Sequence, residues 1–407
     1  VRRTIYLDYN ATTPVDPRVF EAMRPYFSEK FGNPASRTHR IGWEAEEAVE
    51  QARTQVARLI GAESSKTIVF TSGATESNNT VIKGVLWAQK KRPAHVITQK
   101  TEHKCVLDSC KEMEKQGHEV TYLDVDRQGL VDPEAVHGAF RENTVLVSVM
   151  WANNEIGTIQ PVAEIGRIAR ERGVLFHSDA VQAVGKIPVD VEAAGIDLLS
   201  VSAHKMYGPK GVGALYIRRR NPPVRITPLL HGGGHEGGKR SGTLPVPNIV
   251  GLGAACEIAA GEMQAESARL AKLRDRLRDA LLARLDHVEQ NGHPTQRLPN
   301  NLNLSFRYLE AESLIMGMPE IALASGSACT SGSVEPSYVI KALGGDEERA
   351  HSSIRFGLGR WTTEAEIDET VETLVKTVQQ LRAISPLYEK QRKDPSRGPM
   401  TADEGNL

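Results

Sequence analysis

The chain has 407 residues, 40% of them hydrophobic and 25% charged, with a formal net charge of −1. Such a composition excludes a disordered chain, and the length favours two domains over a single core. The balanced charge gives no electrostatic reason to bind nucleic acid or an anionic membrane, and no apolar run approaches the ~18 residues of a membrane span.

From the N-terminus, Val1-Arg2-Arg3-Thr4 runs straight into an apolar stretch. It lacks a signal-peptide core and a Ser/Arg-rich transit segment, so a cytoplasmic location is expected, with the mitochondrial matrix as the alternative. Ile5–Leu7 is expected as a short strand, and Asp8–Pro14 as a polar turn. A helix is expected over 17–30, opening on proline. A second, over 44–60, carries the apolar stripe Ala45, Ala48, Val49, Ala52, Val56, Leu59 and Ile60. Thr67–Phe70, His95–Thr98, Glu119–Tyr122, Val145–Met150, Val174–His177, Leu198–Val201 and Ala214–Ile217 read as strands. Helical patterns such as Cys105–Gln116 and Ala163–Arg172 separate most of them. This alternation predicts an α/β fold with a mostly parallel sheet and helices on both faces.

The pattern changes after Ile217. Pro222-Pro223 and the Gly-rich His231–Gly242 form a long connection, and 247–285 reads as helical. A smaller α+β region follows, with Asn301–Phe306 as a strand, 324–336 as a Ser/Gly/Ala loop and 364–384 as an amphipathic helix. The last stretch, 390–407, is rich in Pro, Gly and charge and is expected to be a tail ordered only by a partner.

Several motifs carry chemistry. Gly73-Ala74-Thr75-Glu76-Ser77 follows a strand and opens a helix, which makes either an anion site or an ordinary cap. Asp179 ends a buried strand, where ligands gather in α/β sheets; it can pair with a protonated pyridine nitrogen or serve as a turn residue. His103 also follows a strand and could stack on a planar cofactor and carry protons. Asn153-Asn154 offers amide donors at the same edge. Lys205, in Ser202-Ala203-His204-Lys205, ends another buried run; a lysine there suits a Schiff base with a carbonyl cofactor, if it is not simply solvated. His231 and His235 alone are too few for a zinc site. Arg355 sits in an apolar run and needs an anion, either a substrate carboxylate or an internal acid. The four cysteines, Cys105, Cys110, Cys256 and Cys329, show no zinc-ligand spacing and suit free thiols in a reducing compartment. Cys329 lies among small residues that favour access, whereas the other three read as core.

Taken together, the motifs L-D-Y-N-A-T-T-P, T-S-G-A-T-E-S-N-N, T-E-H-K-C-V-L-D-S-C, N-N-E-I-G, H-S-D-A-V-Q, S-A-H-K-M-Y-G-P-K and S-G-S-A-C-T-S-G occur in order. In this the chain resembles the cysteine desulfurases of the bacterial IscS and mitochondrial type, fold-type I pyridoxal-phosphate enzymes. The resemblance implies a large domain over 15–260 built on a seven-stranded, mostly parallel sheet. A small α+β domain would comprise 1–14 and 261–387 and carry the cysteine loop 324–336, with 388–407 as a flexible tail. It implies that Lys205 binds the cofactor as a Schiff base, that Asp179 pairs with the ring nitrogen, that Gln182 donates to the phenolic oxygen and that His103 stacks on the ring. Ala74, Thr75, Ser202 and His204 would hold the phosphate, joined by Thr243 from the partner subunit of a homodimer. Asn154 and Arg355 would grip the carboxylate of the substrate, L-cysteine. Cys329 would take the sulfur as a persulfide and pass it to an iron-sulfur scaffold protein of the IscU kind or to other acceptors. It could also help ligate a transient [2Fe-2S] cluster shared with the scaffold. Selenocysteine lyase is the alternative activity. The chain departs from the family's frequent S-G-H-K by carrying Ala203, and after Ser385-Pro386-Leu387-Tyr388 its tail is unrelated, which bears on scaffold docking.

Overall fold

Short apolar runs and their punctuation set the architecture of the computed structural model, which describes residues 4–90, 93–325 and 336–393. The opening strand is β1 (Ile5–Tyr6). The helix expected over 17–30 divides into Pro17–Met23 and Pro25–Ser28, because Pro25 has no N–H to donate and its ring crowds the preceding turn. The next helix starts earlier than its apolar stripe, at Arg40–Leu59, where the His39 ring accepts from the Gly42 N–H. Seven strands follow: β2 (Ile68–Thr71), β3 (His95–Gln99), β4 (Glu119–Leu123), β5 (Thr144–Ser148), β6 (Leu175–Asp179), β7 (Leu198–Ser202) and β8 (Gly213–Ile217). They form one sheet in the order β2-β8-β7-β6-β5-β3-β4. Strand β8 is antiparallel to both neighbours, and the remaining pairs are parallel.

The period of two along these strands feeds two hydrophobic layers. Val96, Leu146 and Leu198 pack with Val81, Ile82, Val106 and Cys110 on one face. Their chain neighbours Ile97, Val147 and Leu199 pack with Val49, Val56 and Ile165 on the other. Both faces are covered, as a parallel sheet requires.

One helix of 39 residues, Val246–Arg284, joins the two parts of the molecule. Its beginning, including Ile249, Leu252 and Cys256, belongs to the core of the large sheet. Its end, including Leu270, Leu273 and Leu277, belongs to a second core with Leu302, Phe356 and Leu374. Around that core lie β9 (Val288–Gln290), β10 (Asn301–Phe306), β11 (Ile321–Ala322), β12 (Ala324–Ser325) and β13 (Ser353–Gly357). Four of them form the sheet β12-β13-β10-β9, and β11 pairs in parallel with β1. Two expectations change here. The stretch 324–336 begins as strand β12, paired to β13, before reaching residues outside those described. The tail expected from 388 begins as a helix, Pro386–Lys393, in which the Tyr388 hydroxyl lies 3.0 Å from Asp286 Oδ2; residues 394–407 lie outside those described.

Candidate active site

The carboxyl ends of β6 and β7 face the start of the helix Ala74–Trp87. Asp179 is the last residue of β6, and Ser202 is the last of β7. The chain then tightens into a 3₁₀ turn, Ala203–Lys205, closed by the Met206 and Gly208 N–H groups donating to the Ala203 carbonyl. The methyl of Ala203 fits because position 208 is glycine: a Cβ there would lie 2.8 Å from the Cβ of Ala203. Apart from Thr243 and Cys329, every expected site residue lines one cavity of about 460 Å³. Thr243 is exposed and away from that wall. Cys329 lies outside the described residues.

The wall residues are held by short, specific bonds. Asp179 Oδ2 accepts from Asn78 Nδ2 at 2.7 Å, and Oδ1 accepts from the Val181 N–H at 3.1 Å. His103 caps the helix Lys104–Lys115, its Nδ1 accepting from the Cys105 N–H at 3.2 Å. An Nδ1 that accepts leaves Nε2 as the protonated nitrogen. Burial, with Lys205 adding to it, pushes the pKa of His103 down, although Asp179 pulls it up. Burial and the nearby Lys205, Lys210 and Lys186 push His204 down to about 4. Both rings are therefore neutral at neutral pH.

A strap crosses the cavity from the other side. Asp8 bridges to Gly357 of β13, and the chain then runs over the site to Thr13. Lys205 Nζ donates to the carbonyls of Asn10 (2.8 Å) and Ala11 (2.5 Å). His204 Nδ1 is 3.1 Å from Thr12 Oγ1. Gln182 and Asn10 exchange two hydrogen bonds, at 3.0 and 3.1 Å. Arg355, fully buried, donates from Nη2 to Asp8 Oδ1 at 2.8 Å and from Nη1 to the Asn154 carbonyl at 3.2 Å. The internal acid that a buried arginine called for is thus Asp8, and the same guanidinium still lines the cavity.

Sequence reasoning missed three groups here. Asp8 and Asn10 belong to a stretch read as a polar turn. Asn78 lies on the helix Ala74–Trp87, one turn beyond Thr75, and that spacing was the available signal. Cys105, expected in the core, does pack against the core on one face of the sheet, and it also lines the cavity, 3.0 Å from His103 Nδ1 and 3.1 Å from Asn78 Nδ2. Burial, first among several causes, pushes its thiol up to about 12, so it packs there as a neutral group. Cys110 and Cys256 are buried, as expected.

The donor set fits pyridoxal phosphate. Gly73, at φ 152, starts the 14-residue helix without a side-chain cap, which leaves helix N–H groups for an anion. Opposite it, a Cβ on Gly213 would lie 2.8 Å from the Gly73 Cα, so the glycine pair lets the loop sit tight on β8. Asp179 suits a protonated ring nitrogen and Lys205 suits a carbonyl carbon. Asn154 Oδ1 is buried and has no hydrogen-bond partner among the described residues, as expected of a group that meets a ligand.

Sheet, helix start and strand-end lysine together define a pyridoxal-phosphate enzyme of fold type I. The sequence profile of the class-V aminotransferases matches residues 5–370. Cysteine desulfurase IscS of Anaeromyxobacter sp. is 59% identical over 385 residues, 95% of each chain. The human cysteine desulfurase is 57% identical over 389 residues, 96% of this chain and 85% of its own. A solved NifS-like protein superposes with a TM-score of 0.86 at 40% identity, over 93% of this chain and all of that one. The chain belongs to the class-V aminotransferase family and, within it, to the cysteine desulfurases of the IscS type, enzymes that use pyridoxal phosphate to remove sulfur from cysteine.

Proposed function

We propose that this cavity desulfurates L-cysteine through a persulfide on Cys329. The observation that carries the proposal is where the ends of the cysteine loop are attached. On one side, Ala324 of β12 pairs directly with Arg355 of β13. On the other, Ser337 Oγ donates to Glu155 Oε2 at 2.6 Å, next to Asn154 in the chain, and the Tyr338 hydroxyl donates to the Glu102 carbonyl at 2.7 Å, next to His103. One stem is thus paired to a residue of the cavity wall, and the other is bonded to the chain neighbours of two more.

The roles are those that the resemblance implies, and the lining of the cavity supports them. Lys205 holds the cofactor and Asp179 its ring nitrogen, with Gln182 donating to the phenolic oxygen. Ala74, Thr75, Ser202 and His204 hold the phosphate. Arg355 and Asn154 bind the substrate carboxylate. When bound, pyridoxal phosphate supplies the electron sink for charge developing at the substrate α-carbon. Lys205 and the neutral His103 carry protons to and from that carbon. The Cys329 thiolate takes the sulfur of cysteine, leaving a persulfide on the chain and alanine as product.

The exposed Phe31, Ile41 and Trp43 support a homodimer in which Thr243 reaches the other subunit's phosphate site. The two hydrophobic cores support a division into 15–260, and 1–14 with 261–387. The proposed acceptor is an iron-sulfur scaffold protein, where Cys329 could share a cluster as cargo. No helix of the described residues is long and apolar enough to cross a membrane, and the free thiols suit a reducing compartment such as the cytoplasm. Nothing at the site favours selenocysteine.

The test uses purified enzyme with L-cysteine and a thiol reductant, measuring alanine and sulfide. Equal amounts from the wild type, with both lost in Cys329→Ser, are expected. Turnover that survives the substitution would overturn the persulfide route.

A further inference from the structure

A second lysine lies behind the site. Lys186 sits in the turns after β6, seven residues past Asp179, and its Nζ lies 2.8 Å from Gln182 Oε1. The same oxygen accepts from Asn10 Nδ2 at 3.1 Å, while Gln182 Nε2 donates to the Asn10 carbonyl at 3.0 Å. Both lone pairs of the amide oxygen and one of its two N–H groups are therefore used. Gln182 is buried on the cavity wall, and its second N–H is the donor left for a ligand.

We propose that Lys186 is a positioning residue, which locks the Gln182 amide so that the cavity meets an N–H and never the carbonyl oxygen. The two ends of an amide have nearly the same shape, so its orientation is decided by its partners. An ammonium donates and cannot accept. Turning the amide over would set its NH₂ against Lys186 and its oxygen against the Asn10 carbonyl, losing three hydrogen bonds at once. Lys205 and Arg355 repel the Lys186 charge and Glu266 attracts it; burial, the largest cause, brings its pKa down to about 7. As a neutral amine it would still present N–H groups but could also accept, so the lock is complete only while Lys186 carries its proton.

The proposal rests on the reading that Gln182 donates to the phenolic oxygen of the cofactor. A donor there, backed by a nearby cation, draws charge from that oxygen and weakens its hold on the proton shared with the Lys205 nitrogen. The measurement is the pH midpoint of the visible absorbance of the loaded enzyme, together with the dissociation constant of pyridoxal phosphate by equilibrium dialysis. Lys186→Met is expected to raise the midpoint by roughly half a unit to one unit and to weaken cofactor binding roughly fivefold. Lys186→Arg, which keeps the donors and the charge, should restore most of both.

A double-mutant cycle with Gln182→Ala separates the ways to fail. If Lys186 acts through Gln182, the double variant matches Gln182→Ala alone. A midpoint that moves in Gln182→Ala and stays put in Lys186→Met, or shifts that simply add, would overturn the role of Lys186. A midpoint that Gln182→Ala leaves unchanged would instead overturn the reading of Gln182. A lower melting temperature of Lys186→Met with unchanged absorbance would mean a purely structural lysine, and would also sink the proposal. If Lys186→Met does not fold, Lys186→Gln replaces it in the cycle, since its amide can accept as well as donate and so releases the lock.

Discussion

The two walls of the cavity are built differently. On one side, His103, Asp179, Ser202 and Lys205 stand at or just beyond the carboxyl ends of β3, β6 and β7, parallel strands of one sheet, and the sheet fixes their backbone. On the other, Asp8, Asn10, Ala11 and Thr12 form a strap whose bonds to Arg355, Gln182, Lys205 and His204 span 347, 172, 194 and 192 residues of chain. The first wall is rigid by construction, because its strands are buried on both faces. The second forms only when the two cores are assembled. Lys205 and His103, proposed for the Schiff base and the proton transfers, stand on the first wall. The strap holds them in place and, through Asp8, governs Arg355. A catalytic scaffold gains from this division, since reacting atoms need precise placement while the substrate clamp must take up and release its ligand.

Removing a group from the rigid wall should have the largest effect. Lys205→Ala is expected to lower alanine formation by roughly a thousandfold, with the circular dichroism spectrum unchanged. The substitution also empties the contact with Asn10 and Ala11, so a variant that melts at a lower temperature while keeping its activity would place the chemistry elsewhere. Across the cavity, Arg355→Ala should act on binding. A charge-assisted pair to a carboxylate is worth ~1.5–3 kcal/mol, so KM for cysteine is expected to rise roughly 10- to 100-fold, with a smaller change in kcat. A fall in kcat with KM unchanged would move Arg355 from the clamp to the chemical side, and the contrast between the walls would fail.

The same contrast decides what the sequence made legible. Each wall strand is a short, partly apolar run that ends within a few residues of the polar group that matters, so Asp179 and Lys205 announce themselves. Strand boundaries shifted by no more than a residue or two, because the ends of runs are soft. The strap carries no such mark. Asp8–Pro14 has the composition of a turn, and its bonds to Lys205 run through backbone carbonyls that any residue would offer. Nothing local shows that Asn10 and Ala11 meet Lys205. Arg355 could be read as needing an anion, but not that the anion is Asp8. Cys105 follows the apolar spacing of its helix with Cys110 and was assigned to the core, yet the first turn of that helix opens on the cavity. Pro25, by contrast, was a local signal that should have divided the helix over 17–30.

Glu102, next to His103 in the chain, ties the first wall to the stem of the cysteine loop. Its Oε1 accepts from the Met150 N–H at 2.5 Å and from Gln99 Nε2 at 3.0 Å. Its backbone carbonyl accepts from Tyr338, at the stem of the cysteine loop. Oε2 has no hydrogen-bond partner among the described residues. Burial pushes the pKa of this carboxyl up to about 8, and the charge on Asp179 adds to the rise. In the unfolded chain a glutamate releases its proton near pH 4.3. Between those two values the native state holds a proton that the unfolded state has lost, so stability falls as pH rises through this window and levels off above about pH 8. Glu102→Gln keeps the accepting oxygen and removes the titration. Its melting temperature is therefore expected to match or trail the wild type at pH 5 and to exceed it at pH 8.5, a relative gain of about 4 kcal/mol across the window. Parallel curves for the two proteins would mean that Glu102 is already ionised in the fold. The wall beside His103 would then carry a buried charge instead of a neutral hydrogen-bond network, while the loop stem would stay on the Glu102 backbone carbonyl.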